Sequence, residues 1–125
     1  MALLGAVLLA STALAQDGNA AKELATASTH AQLSAAAESV AVADMHLHHV
    51  INCLVGSHGR GFDAAAGNPC KGMGEGALQD SSKGSELHSK ALRALAAARR
   101  GIASKDLSAV HKADSEVVGI LAPDR

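Results

Sequence analysis

Seven histidines are spread through the 125 residues, and they carry most of the chemistry open to this chain. His46, Leu47, His48 and His49 form one run, while His30, His58, His88 and His111 stand apart. Neutral imidazole is the commonest protein ligand for transition metals. Residues three or four apart share a helix face. His46 and His49 can therefore grip one ion, and Met45 lies four positions before His49. Imidazole with thioether suits copper, whereas imidazole alone suits Cu(II), Ni(II) or Zn(II).

A plainer reading competes. With Leu47 at the centre of a buried face, His46 and His48 fall about 100° to either side, and His49 lies nearly opposite. Those are flank and surface positions. His30 and His58 read first as ordinary polar residues. His88 and His111 sit nearer the apolar stripes of their segments. Asp114, one turn after His111, falls on an apolar face and needs a partner there. It would orient His111 behind a metal or pair across two helices. The candidate ligands are His46, His49, His30, His88 and His111.

Other chemistries lack their residues. No C-x-x-C-H run attaches a haem covalently, although two facing histidines could hold one without a covalent link. No H-E-x-x-H is present, the turn at 56–61 lacks the G-K-[ST] ending of a P-loop, and no G-x-S-x-G appears. Asp63 and Asp80 are too far apart for an EF-hand loop. Nothing aligns a Ser-His-Asp triad. The expectation is a protein without catalytic turnover.

These residues must be positioned by helices. From Ala20 to Val55 there is neither Gly nor Pro, and Ala, Leu, Glu and Lys dominate, all good helix formers. Two helices are predicted, over 20–37 and 40–55, with Ser39 capping the second. Without a break at Ser39 the segment becomes one long helix. The glycine-rich stretch 56–84 reads as a loop. Helical periodicity returns over 85–100, with Gly101 as its C-cap. A last helix starts at Ser104 and stops before Pro123. Two helical hairpins flanking a glycine loop predict an all-α, up-down four-helix bundle.

The core of such a bundle is thin. Alanine supplies 28 residues, and there is one Phe with no Tyr or Trp. An Ala side chain buries little area. Cys53 and Cys70 offer a compensating disulfide, closing a loop of 17 residues for about 3 kcal/mol. An even cysteine count suits an oxidising compartment. Residues 1–15, MALLGAVLLASTALA, have the short apolar run and the Ala13-Leu14-Ala15 site of a secretory signal peptide. The mature domain would then be 16–125, with no membrane span after cleavage. A net charge of −1 gives no field to attract nucleic acid.

His30–Leu33 with Ala35–Ala37, and the run His46–Gly56, resemble small exported, Ala- and His-rich helical proteins of the periplasm that bind copper and other divalent ions. The resemblance covers mainly 22–56 and more weakly 86–121. It implies a periplasmic or secreted protein that binds a divalent metal through histidine, for sequestration or delivery. Copper comes first, then nickel or zinc. This chain departs from the pattern by lacking a regular His heptad and by inserting the glycine loop. The competing expectation is a structural or interaction module of the cell envelope, meeting a protein partner through that loop. A thin core also leaves room for a homodimer.

Overall fold

The computed structural model describes residues 4–124, with side chains from residue 16 onward. Five α-helices and one short 3-10 turn make up the regular structure, and no strand occurs among the described residues. Helix α1 spans Leu4–Ala35 and α2 Val40–Val55. A 3-10 turn covers Ala64–Ala66, and α3 is the single turn Ala77–Asp80. Helix α4 spans Glu86–Ala103 and α5 Leu107–Leu121. The expected signal peptide, 1–15, lies outside the residues whose side chains are described. No described helix is long and apolar enough to cross a membrane.

The break between α1 and α2 falls where local chemistry puts it. Ser39 adopts extended backbone, and its hydroxyl accepts from the Val42 amide at 3.3 Å. That satisfies one of the amides every helix start leaves unpaired. The first helix begins earlier than expected, because Gly18 alone does not stop it; a single Gly costs a helix only about 1 kcal/mol.

The second half differs from the sequence reading at two helix ends. Gly101 does not end α4 but lies inside it, buried. A Cβ at Gly101 would stand 2.6 Å from Leu47 Cδ1 and 3.2 Å from Ala113 Cβ. The glycine is there for close approach of α4 to α2 and α5, not for a left-handed cap. Ser104 becomes the C-cap of α4, and Asp106 caps α5 by accepting from the Ala109 amide at 3.1 Å.

Helix α1 packs on α2 and α5, and α4 packs on α2 and α5, so the four long helices close a ring of neighbours. Leu47, Val50, Leu54, Val110 and Val117 are fully buried at its centre, among Ala27, Ala31, Ala43, Ala91, Ala94, Ala97 and Ala98. Small side chains let the backbones come close and so recover dispersion contact that large residues supply elsewhere. The glycine-rich stretch folds over one end. Cys53 and Cys70 are joined, with Cα atoms 5.2 Å apart, as their spacing predicts.

Candidate metal centre

Three of the five candidate histidines meet. His30 comes from α1, and His46 and His49 from α2, one turn apart. One ring nitrogen from each lies within 4.8 Å of one from each of the others. His30 Nδ1 is 3.3 Å from His46 Nδ1 and 3.2 Å from His49 Nδ1. His30 thus brings one nitrogen up to the Nδ1 atoms of both α2 histidines. All three rings are half-buried.

The fourth flank of the cluster is backbone. His49 Nε2–H donates to the Ala66 carbonyl at 2.6 Å. A carbonyl can only accept, so this bond places the proton on Nε2 and leaves Nδ1 with its lone pair facing His30. Ring orientation by an outer hydrogen bond is the usual support for a ligating imidazole.

Ala66 is held in place by Asn52, which is fully buried one turn beyond His49. The Asn52 amide donates to the carbonyls of Asp63 and Gly67, at 2.7 Å each, and its oxygen accepts from the Asp63 amide at 2.9 Å. Asp63 in turn caps the 3-10 turn, its carboxylate accepting from the Ala65 amide. The disulfide anchors the far end of this segment, and Asn68 Oδ1 accepts from the Cys70 amide. The Asn52-Cys53 and Asn68-Pro69-Cys70 stretches act together as a clasp.

Electrostatics keep the cluster ready. Burial, then the neighbouring His49 and His46, lower His30 below the ordinary imidazole range. Burial and then His49 do the same to His46. A second proton is disfavoured where imidazoles crowd, so His30 and His46 stay neutral and can offer lone pairs at neutral pH.

The other histidines are engaged elsewhere. His111 Nε2–H donates to the Ala37 carbonyl at 2.9 Å, closing the end of α1 against α5. Ser81 gives its proton to the Ala77 carbonyl, so His88 Nδ1–H donates to Ser81 Oγ at 3.0 Å and fastens α4 to α3. His48 Nδ1 stands 3.5 Å from Asp63 Oδ2, and the exposed His58 3.5 Å from Glu75 Oε2. Asp114 is fully buried near His111 and Ser34, but Ser34 donates to the Ala43 carbonyl, and neither Asp114 oxygen receives a hydrogen bond. Burial raises its carboxyl above the ordinary range, opposed by Ser34 and His111.

Among the described residues, no other group of three His, Cys, Asp or Glu side chains offers ligand atoms so close together. No protein family, curated protein or solved structure matches this chain.

Proposed function

We propose that the protein binds a divalent transition metal through His30, His46 and His49, with copper first and nickel or zinc next. The meeting of three imidazoles from two helices, with His30 Nδ1 beside the Nδ1 atoms of His46 and His49, carries this reading. Three neutral imidazoles form a nitrogen set that suits Cu(II), Ni(II) and Zn(II). The role is sequestration or delivery without turnover, in the periplasm or outside the cell. Support for export comes from the Ala13-Leu14-Ala15 site and from a disulfide, which persists in oxidising compartments. The scaffold is an up-down four-helix bundle. The short link 36–39, together with His30 meeting His46 and His49, favours antiparallel α1 and α2.

Native mass spectrometry of the oxidised protein, titrated with Cu(II), Ni(II) and Zn(II), tests this. Discrete one-to-one adducts at micromolar ion, lost in His46→Ala/His49→Ala, are expected. Weak, unsaturating adducts that persist in the double variant overturn it.

A further inference from the structure

We propose that this centre holds its ion at three positions only and offers the fourth to an exogenous monodentate donor. That donor is water at rest, replaced by a small anion or by the incoming donor of an acceptor molecule. The inference rests on the metal-binding reading above and goes one step past it: the ion is presented rather than caged.

The spacing of the nitrogens comes first. Around a four-coordinate ion with metal–nitrogen bonds of about 2.0–2.1 Å, tetrahedral ligand nitrogens stand ~3.3–3.4 Å apart. His30 Nδ1 is 3.3 Å from one partner nitrogen and 3.2 Å from the other. Two edges of a tetrahedral face are therefore in place before any ring moves. Loading requires only that the proton on His30 Nδ1 leave or shift to Nε2, since all three Nδ1 atoms must give lone pairs.

The protein donors near the fourth vertex are spent. No further His, Cys, Asp or Glu joins the group among the described residues. Cys53, one turn beyond His49, is in the disulfide and has no thiolate to give. Asn52 uses both amide hydrogens and its oxygen on the backbone of 63–67. His48 turns to Asp63. Asp44, two residues before His46, lies close enough to Asp114 to raise its carboxyl and is not in the histidine group; the other donor within a turn on α2 is the thioether of Met45, which is 43 % exposed. The three ligand residues are each only partly buried, so the centre is not sealed inside the core. Three protein ligands with an open position is the arrangement of exchangeable metal sites, whereas structural sites are closed by four.

Cobalt(II) replaces zinc in nitrogen sites and reports its coordination in the visible spectrum. The test loads the full oxidised chain and a Met45→Leu variant with cobalt(II), then titrates each with azide. The expected result is an intense four-coordinate band that azide shifts saturably, with the same midpoint in both proteins. If azide leaves the wild type unchanged but shifts Met45→Leu, then Met45 closes the site and the proposal is overturned. An unchanged spectrum in both proteins overturns it as well. A cobalt band that survives His46→Ala/His49→Ala, or no band at all, overturns the underlying metal-binding reading instead.

Discussion

Glu23 of α1 and Asp80 of α3 bury their carboxyl groups side by side, 57 residues apart in sequence, and together hold two consecutive amides of the glycine-rich segment. Glu23 is 0 % exposed and Asp80 4 %. Glu23 Oε1 accepts from the Gly76 amide at 3.0 Å, and Asp80 Oδ2 accepts from the Glu75 amide at 2.8 Å. Any side chain at Gly74 would run into both carboxyls. Two buried carboxylates cannot both ionise cheaply. Glu23 Oε2 has no hydrogen-bond partner, so nothing there stabilises a charge on this carboxyl. Burial, with Asp80 and Glu75 adding like charge, raises Glu23 to about 7 against the pull of the Gly76 amide.

Stability therefore depends on pH with a definite sign. The folded pKa of Glu23 is raised, so its contribution is fully present below about 4.5 and is lost as pH rises through about 7. At ~1.4 kcal/mol per unit the span amounts to a few kcal/mol. Urea denaturation between pH 5 and 8.5 should show the wild type weakening with rising pH. Glu23→Gln, which keeps the shape and cannot ionise, should flatten that slope. A wild-type profile already flat over this range would rule out a raised Glu23 pKa.

Gly101→Ala should destabilise the fold by about 1–3 kcal/mol, the usual cost of overpacking. Its methyl would meet Leu47 and Ala113, and Leu47 is fully buried. The gain in helix propensity, about 1 kcal/mol, acts in the opposite direction and is smaller. Equilibrium unfolding decides the sign; a more stable variant would mean that α4 can shift away from α2.

Asn52→Ala should act on the ion as well as on the fold. It removes three hydrogen bonds and leaves the Asp63 amide unpaired, for a loss of about 1–3 kcal/mol. The Ala66 carbonyl then loses its fixed position against His49, and metal affinity should fall about 10–100-fold, as for other outer-sphere supports. Calorimetric titration at a temperature where the variant is fully folded separates the two effects. Unchanged affinity would show that His49 orients without Ala66.

Replacing both cysteines, Cys53→Ser with Cys70→Ser, should lower stability by about 3 kcal/mol. Because Cys53 and Cys70 are 0 % and 4 % exposed, native protein should resist a soluble thiol until it unfolds. Reduction followed by mass spectrometry, with and without urea, measures this. Rapid reduction without urea would mean that the clasp opens locally.

What the sequence disclosed follows how local each signal is. Ser39 as a cap and Cys53 with Cys70 as a bridge were readable, because a cap acts over three residues and two cysteines leave one pairing. The His46–His49 pair was readable from helix geometry, but a wheel centred on Leu47 puts both off the buried face. That wheel assumes one buried side, whereas Val50 to Val55 are buried without interruption. Helix α2 is enclosed on several sides, and α1 covers the flank where His30 waits. Gly101 was misleading for the same reason, and Glu23 gave no signal. A glycine after two arginines resembles a helix end, and nothing beside Glu23 along the chain marks it as buried. Their roles are set by Leu47 and Asp80, which lie far away along the chain.

The Cys53–Cys70 bridge makes the segment between them a closed ring, and Asn52 and Ala66 tie that ring to the base of His49. A protease that cuts one peptide bond inside the ring releases no fragment. Both new ends stay covalently attached to the domain, and Ala66 remains tethered near its imidazole. The part of the chain with the least regular structure is thus also the part in which a single nick costs the least.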